Sequence, residues 1–550
     1  MHYPESDQSR EKTIVISTAY GLWPMLEFEL DIIQRELDAG NRVIFLYCSG
    51  QKNYCPANNP KPGQVFKKRK CQECISRVKN GTEWLEHDPD KLTVAHYDAV
   101  TRQELDTIQE TLLELDKSKK VKNIIRQLVN INGIDIFESA YSQLITDLND
   151  YQPKIEDNWK LFRNFLEVGL VSYYSAQKIF QNYEPDKVYV FNGRISRYRP
   201  LMRMAQRKNC SLAVYEYPAV NFQDYTITNK NYPHDIENYS KSLRDYFDAL
   251  DLSGHLIEST AIKWFNDRRE FKLEPIQKLL LSGKFSHISR QPTLPDFWDD
   301  TKFNLVFFVS SQNELSSIEE NINHTPFDQV SSIKFLHAKF PEIHYTIRIH
   351  PNLKSADPKF VRQLEDLANL KNVNIVPAGS QQNSYSLVDA ADLILTFGST
   401  IGVEAAFKMK PVINVGVALY SYFDCVSVCN SADELLQLVN EAQQGNFSQF
   451  PSIDKRYWGA CSYAYAYLNH GVRPVYLEKE SYFGGWMLRD GKRTQIKADE
   501  WIICKNRILN FGPRIYHVLS LLLTNPKRAV AIGPSNLLHK LKHAFYGDMP

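Results

Sequence analysis

The chain has 550 residues, more than one hydrophobic core usually holds, and this length predicts two large domains or three smaller ones. Hydrophobic residues make up 43% and charged residues 23%, which is typical of globular proteins and excludes collagen, coiled-coil and largely disordered chains. The formal net charge of +1 argues against a dedicated nucleic-acid-binding protein, because phosphate contacts normally leave a basic excess.

The N-terminal segment, the apolar runs and the cysteines indicate the cellular compartment of the protein. Met1–Lys12 is polar and lacks the apolar core of a secretory signal. The longest apolar runs fall far short of the roughly 20 residues of a membrane span. Nine cysteines without a signal are typical of reduced thiols. We therefore expect a cytoplasmic protein.

The first half begins with a strand–helix–strand pattern, in which Ile14–Ser17 and Val43–Tyr47 are the strands. This spacing is the βαβ signature and predicts a parallel sheet. Thr101–Phe180 has helical periodicity, and it is followed by further strands at Val188–Phe191 and Leu212–Tyr215. The first half is thus predicted to be an α/β domain with a helical insertion.

A long helix is predicted at Ile257–Leu281, and the polar stretch Gly283–Lys302, which holds two prolines, resembles an interdomain linker. Short strands then alternate with helices again. The predicted strands of this second half are Leu305–Val309, Tyr345–Ile349, Val373–Val376, Leu393–Thr396 and Val412–Val415.

The predicted fold class is α/β and GT-B-like, with two Rossmann-like doubly wound domains that face a cleft. In open parallel sheets, ligands bind beyond the carboxyl ends of the strands. The predicted divisions are an N-terminal acceptor-side domain at 1–256 (helical insertion about 100–182, cysteine loop 48–74), a linker at 257–302, a nucleotide-sugar-binding domain at 303–475 and a basic tail at 476–550.

The segment after the strand Leu393–Thr396 predicts a phosphate site. Gly398 allows close backbone approach, and Ser399 and Thr400 add hydroxyls to the N–H groups of a helix start. The alternative is plain capping of a core helix. Glu404, one turn later, is a candidate for binding a sugar or ribose hydroxyl, or else a surface residue favoured by the helix dipole.

Two other strands of the second half also end in polar residues. Arg348 and His350 follow one strand, and His350 there could counter a phosphate leaving group or be an ordinary turn histidine. Ser310 and Ser311 end the first strand and are weaker candidates for the donor side.

In the first half, Asn192 and Arg194 follow one strand and Glu216 ends the next. A carboxylate at this position is a candidate general base for an acceptor hydroxyl. The alternative is a structural carboxylate paired with Arg194 or Arg197.

The first strand leads into Ser17 and Thr18, which are candidates for lining the acceptor side. The loop that contains them has too few glycines for a dinucleotide-binding fingerprint.

Four cysteines, Cys48, Cys55, Cys71 and Cys74, have the spacing C-x6-C-x15-C-x2-C. Four thiols with a CxxC pair meet the minimum for tetrahedral zinc, although the first gap is long for a zinc knuckle. A structural zinc site and a loop of reduced thiols, with an occasional disulfide, both remain open.

The segment Arg489–Met549 has eleven Lys or Arg and four acidic residues. A basic amphipathic tail can contact an anionic membrane surface, which would place the protein at the inner face of the membrane. A helix that packs on the first domain and exposes a basic face is the alternative.

Several of these motifs together resemble bacterial capsule and surface-polysaccharide biosynthesis proteins of the GT-B glycosyltransferase type. The resemblance is carried by RIHPN, FGSTIGVEAAFKMKPV, SSQNE, FNGR with Glu216, and the early cysteine loop, and it covers most of residues 13–475. The pattern is related to those of the capsular Kdo transferases and the CDP-glycerol glycerophosphotransferases.

The resemblance implies a glycosyltransferase with a nucleotide-sugar donor, a glycan or lipid-linked glycan acceptor, and no catalytic cofactor. His350, Ser399 and Thr400 would contact the donor phosphates, and Glu216 would be the base. The chain lacks the E-x7-E pair of retaining GT-B enzymes, since Thr396 stands eight residues before Glu404, and this favours an inverting, metal-independent mechanism. A nucleotide-sugar epimerase of the same fold and a non-catalytic polysaccharide-assembly protein remain alternatives.

Overall fold

The computed structural model describes most of the chain. The described residues are 10–18, 20–50, 55, 68–117, 121–148, 150, 152–216, 224–229, 232, 234–272, 293–310, 328–351, 353, 358–481, 484–500 and 502. Contacts divide the chain into two compact units, the first made of 1–17 and 98–474 and the second of 18–97 and 475–550. The predicted basic tail beyond 502 and Ser311 lie outside the described residues.

Helices and strands alternate along most of the chain. Their bounds are β1 (Thr13–Ser17), α1 (Met25–Asp38), β2 (Arg42–Tyr47), α2 (Lys68–Trp84), β3 (Leu92–His96), α3 (Arg102–Lys117), α4 (Lys122–Leu128), β4 (Asn130–Ile131), β5 (Ile134–Asp135), α5 (Ile136–Leu148), α6 (Trp159–Tyr183), β6 (Lys187–Phe191), α7 (Arg199–Arg207), β7 (Ser211–Glu216), β8 (Thr226–Asn229), α8 (Ile236–Asp248), α9 (Gly254–Arg269), β9 (Asn304–Phe308), α10 (Gln329–Lys339), β10 (His344–Arg348), α11 (Pro358–Glu365), β11 (Val373–Val376), α12 (Ser384–Ala390), β12 (Leu393–Thr396), α13 (Ile401–Phe407), β13 (Val412–Val415), β14 (Ser427–Cys429), α14 (Ala432–Gln443), α15 (Ile453–Asn469), β15 (Leu477–Ser481), β16 (Gly484–Arg489) and β17 (Lys492–Thr494).

The described strands form two large sheets of six strands each, and helices alternate with these strands along the chain, as the predicted α/β fold class requires. The sheet of the second half is entirely parallel and has the strand order β11-β10-β9-β12-β13-β14. The order reverses between β9 and β12, which is the switch point where doubly wound sheets bind ligands. In register, Phe308 of β9 pairs with both Arg348 of β10 and Thr396 of β12.

The first half also contains parallel strands. In the first unit, β1 pairs with β6 and β6 with β7, while β8 is antiparallel to β7. Helices α3 to α6 form the predicted helical insertion. In the second unit β2 and β3 are parallel, and β15 to β17 form a small antiparallel sheet. This small sheet lies in the segment that the sequence assigns to the basic tail.

Helix α9 is shorter than predicted. It ends at Arg269, and the remainder of the predicted helix from 273 to 281 lies outside the described residues. Its apolar face packs on α15, where Trp264 contacts Tyr463 and Tyr467, with ring centroids 6.4 and 6.0 Å away. No helix in the described part of the chain combines the length and the apolar character of a membrane span.

Helices α8 and α15 enclose a buried histidine. His470 is 3% exposed and lies between the rings of Tyr239 and Tyr246, at centroid distances of 5.6 and 5.3 Å. Neither ring nitrogen has a hydrogen-bond partner among the described residues. Burial therefore lowers the pKa of His470 to about 4.

We expect this histidine to weaken the fold in mild acid. Because its folded pKa lies below its unfolded value, the unfolded chain binds the proton first, and stability falls as the pH drops from 6.5 towards 4. The expected loss from His470 between pH 7.5 and pH 5 is about 2 kcal/mol. Urea unfolding of the wild type and of His470→Phe at both pH values measures it. Equal losses in the two proteins would contradict the assignment.

Candidate active site

The candidate donor residues follow three adjacent strands of the second sheet. Ser310 comes after β9, Arg348 and His350 end and follow β10, and Gly398 follows β12. The carboxyl ends of parallel strands share one sheet edge, so these residues lie at the same edge, on both sides of the switch point. The sequence predicted this arrangement from the strand ends alone.

Arg348 is the most unusual residue at this edge. Its side chain is 2% exposed, its Nη1 donates to the carbonyl of Pro377 at 2.6 Å, and its Nε lies 3.4 Å from Ser384 Oγ. Nη2 is buried and has no hydrogen-bond partner in the part of the chain that the structure describes. Burial lowers the pKa of Arg348 to about 10, so it remains charged at neutral pH. A buried cation in this state calls for an anionic ligand.

Ser310 provides a second buried donor at the same edge. Gln329 fixes its backbone, because Oε1 accepts from the Ser310 N–H and Nε2 donates to the Ser310 carbonyl, both at 2.9 Å. The Ser310 hydroxyl is buried and makes no hydrogen bond among the described residues. His350 is partly buried, and its carbonyl accepts from the N–H of Leu353 at 2.9 Å.

The loop at Gly398 and Ser399 is closed by internal hydrogen bonds. Gly398 has a φ of +77°, and its N–H donates to Asn414 Oδ1 at 2.7 Å. The N–H of Ser399 donates to Thr396 Oγ1 at 3.1 Å. The loop therefore uses these two N–H groups internally, while the helix itself begins at Ile401 with Thr400 as its N-cap, so the phosphate site expected at the helix start stays a prediction.

Thr400 and Glu404 are held by helix α9, which lies largely within the segment predicted as the linker. Arg268 of α9 donates through Nε and Nη2 to Glu404 Oε1, at 2.9 and 2.6 Å, and through Nη2 to Thr400 Oγ1 at 3.2 Å. Tyr385 Oη donates to Glu404 Oε2 at 2.5 Å. Glu404 is 4% exposed, so it is not the surface residue considered as an alternative. The sequence gives no sign of these contacts.

Gly402 leaves room for a hydrogen bond that shapes the loop. A Cβ at this position would lie 2.4 Å from Tyr420 Oη and 2.9 Å from Thr396 Cγ2. Tyr420 Oη donates to the carbonyl of Ser399 at 2.7 Å. The sequence did not identify Tyr420 or Asn414 as residues that shape this loop. Asn414 could have been noticed, because it is a polar residue inside the buried strand β13.

We expect Gly402→Ala to destabilise the protein by about 1–3 kcal/mol, because the added methyl group displaces the Tyr420 hydroxyl. Gly254→Ala is the matched control. That glycine begins α9, and the nearest atom to its Cβ would be Trp458 Cη2 at 3.8 Å, so Ala should be neutral or mildly stabilising. Urea unfolding measures both, and equal stabilities would rule out the steric argument.

In the first half, the structure brings Asn192 and Glu216 together. Asn192 Nδ2 donates to Glu216 Oε2 at 2.6 Å. Asn192 and Gly193 both have positive φ, at 59° and 77°, which turns the chain sharply after β6. Arg194 is buried beside them, and its N–H lies 3.4 Å from Asn192 Oδ1. Glu216 is thus oriented by an amide at the end of its strand.

Ser17 and Thr18 are the other two residues that the sequence predicts for the acceptor side. Ser17 is buried, and its carbonyl accepts from Tyr215 Oη at 3.3 Å. Thr18 belongs to the second unit, where its hydroxyl donates to Glu29 and its N–H to the carbonyl of Leu46 at 2.8 Å. Burial, together with the charge of Arg194, lowers the pKa of His234 to about 3, so this histidine is neutral.

None of the four cysteines Cys48, Cys55, Cys71 and Cys74 forms a disulfide in the described part of the chain. Cys71 and Cys74 lie one turn apart on α2, Cys74 Sγ accepts from the N–H of Gly21 at 3.1 Å, and Cys48 Sγ accepts from Gly50 at 3.3 Å. Within the described residues, no group of three or more His, Cys, Asp or Glu is placed to hold a metal ion. The structural zinc therefore stays a prediction, without support from the thiol positions.

Neither a protein-family model nor a curated protein matches this chain. Solved structures are similar to it at low identity. The beta-Kdo 2,7 transferase KpsC of Thermosulfurimonas dismutans is 13% identical, over 61% of this chain and 89% of KpsC, with a TM-score of 0.31. UDP-GlcNAc 2-epimerase of Neisseria meningitidis, bound to UDP-GlcNAc, is 11% identical, over 82% and 97%, with a TM-score of 0.27. The calicheamicin glycosyltransferase CalG4 is 12% identical, over 84% and 96%, with a TM-score of 0.24.

Proposed function

We propose that this protein is a glycosyltransferase that moves a sugar from a nucleotide-activated donor onto a surface-polysaccharide acceptor. The observation that carries the proposal is Arg348, a buried cation whose Nη2 has no partner among the described residues, at the carboxyl end of β10 and next to the switch-point strand β9. A phosphate of a sugar nucleotide supplies the anion that this site lacks.

The donor residues have complementary roles. Arg348 Nη2 and the Ser310 hydroxyl donate to phosphate oxygens, and both are buried where such hydrogen bonds are strong. His350 stabilises the negative charge that develops on the leaving phosphate. Thr400 and Glu404 hold the neighbouring loop through their hydrogen bonds with Arg268. Glu404 keeps these hydrogen bonds when it binds a donor hydroxyl.

The transfer itself needs a base on the acceptor side. Glu216 accepts the proton of the acceptor hydroxyl, and the resulting oxygen nucleophile attacks the anomeric carbon of the donor. The bond from that carbon to the phosphate oxygen breaks, and the nucleotide leaves with the electron pair. Asn192 orients Glu216 through its 2.6 Å hydrogen bond. A single displacement of this kind inverts the anomeric configuration and needs no metal ion.

Incubation of the full chain with sugar nucleotides separates the candidate activities. NMR of the products with and without a capsular oligosaccharide acceptor should show consumption of one donor and formation of one inverted linkage only when acceptor is present. Epimerised sugar in the absence of acceptor would assign the protein to the epimerases. Glycan binding without consumption of any donor would favour an assembly protein.

A further inference from the structure

The second unit contains a cavity outside the candidate active site. Its volume is about 560 Å³, which is within the range of small-ligand sites. Helix α1 contributes Gln34 and Asp38 to its wall, Glu86 follows α2, Tyr476 directly precedes the small sheet, and the sheet itself contributes Arg489 and Arg493. Residues of the predicted basic tail thus form part of the cavity wall.

The wall is fixed by hydrogen bonds to its surroundings. Asp31 Oδ1 accepts from the N–H groups of Val475 and Tyr476, both at 2.7 Å, and this attaches the chain that leads into the small sheet to α1. Arg489 Nη1 donates to the carbonyl of Trp84 at 2.5 Å, and its guanidinium lies 5.5 Å from the centre of the Trp84 ring. The Trp84 and Tyr476 rings meet edge-on at 6.2 Å. The chain ahead of β15 and the Arg489 side chain are therefore attached to α1 and α2, with the Tyr476 ring beside them.

The charges of the wall disfavour an anionic ligand. Arg489 pairs with Glu86 at 3.3 Å and Arg493 with Glu478 at 2.8 Å. The lining also contains two further carboxylates, Asp38 and Asp490, so it has two more acidic than basic side chains. Asp38 accepts from Gln34 Nε2 at 2.8 Å and from the Tyr476 hydroxyl. The acidic excess would repel a phosphate or a carboxylate, whereas it would not repel a neutral ligand.

We propose that this cavity binds a neutral, hydroxyl-rich saccharide. Each sugar hydroxyl both donates and accepts, and the wall alternates carboxylate acceptors with guanidinium and amide donors. The Tyr476 ring offers a surface for the apolar face of a sugar ring. Binding here does not depend on the donor site, and under the proposed function it would hold the polysaccharide chain that receives the sugar.

The test is an array of neutral and acidic bacterial oligosaccharides probed with the full chain. We expect retention of neutral glycans, and at least a tenfold weaker affinity in the double variant Asp38→Asn, Asp490→Asn. Asp248→Asn, a half-exposed carboxylate on α8, should bind as the wild type does. Melting curves of each variant establish that it is folded.

Retention of acidic glycans alone, of no glycan, or equal binding by the double variant would overturn the proposal. Its failure is distinguishable from failure of the donor site. The double variant should still respond to a nucleotide, and Arg348→Met should still bind neutral glycans.

Discussion

Replacing Arg268 by Met is expected to lower the free energy of unfolding by about 3 kcal/mol, because it leaves the Glu404 carboxylate buried without its ion-pair partner. The Arg268 side chain is 29% exposed and Glu404 is 4% exposed, so water can hydrate the abandoned carboxylate only poorly. The loss of the Thr400 contact should also loosen the loop that follows β12. Urea unfolding gives the stability change.

The neighbouring residue provides the matched control. Arg269 also belongs to α9, lies 4.8 Å from the Tyr385 ring and pairs with Asp389, but that carboxylate is 49% exposed. Arg269→Met should therefore cost less than about 1 kcal/mol. In the double variant Arg268→Met, Glu404→Gln the buried charge is absent, and much of the stability should return. Equal costs for the two single arginine variants would contradict this role of Arg268.

The second large effect is expected at Arg348, where binding and stability should respond in opposite directions. Arg348→Met removes a buried charge that has no carboxylate partner among the described residues, so the free energy of unfolding should stay constant or rise. Nucleotide affinity should fall by about 30- to 150-fold, since a charge-assisted hydrogen bond to phosphate contributes roughly 2–3 kcal/mol.

Titration calorimetry and urea unfolding of the same preparation measure the two quantities. Lys334→Met removes an exposed cation from α10 of the same half and should change neither. A folded variant that binds nucleotide normally would show that Arg348 does not contact the nucleotide, and a variant that loses affinity only because it is unfolded would show that Arg348 is structural.

The second sheet could be predicted closely from the sequence because its strands are buried on both faces. Such strands appear as short apolar runs, and β11, β12 and β13 have the predicted bounds. The small sheet β15–β17 was missed, because its charged residues obscure any apolar pattern. Long polar contacts are equally invisible, since Arg268 and Glu404 are 136 residues apart.

The candidate site was predictable in part for the same reason. Strand ends identify Ser310, Arg348 and Gly398, because parallel strands bring their carboxyl ends to one edge. The burial and the hydrogen bonding of each of these groups could not be predicted. Burial of Arg348 and internal use of the Ser399 N–H depend on Pro377, Ser384 and Thr396, which only the fold brings near.

The central claim is that the second sheet binds a sugar nucleotide, and a thermal-shift panel tests it most directly. CMP, CDP, UDP, GDP and their common sugar conjugates are added separately to the wild type and to Arg348→Met. A nucleotide at a hundredfold excess over its Kd stabilises the folded chain by about 2.7 kcal/mol. We predict that one nucleotide class raises the Tm of the wild type and raises that of the variant by no more than about a third as much, since a roughly 30-fold loss of affinity leaves about 0.9 kcal/mol of this stabilisation. A folded wild type whose Tm responds to none of them would contradict the account.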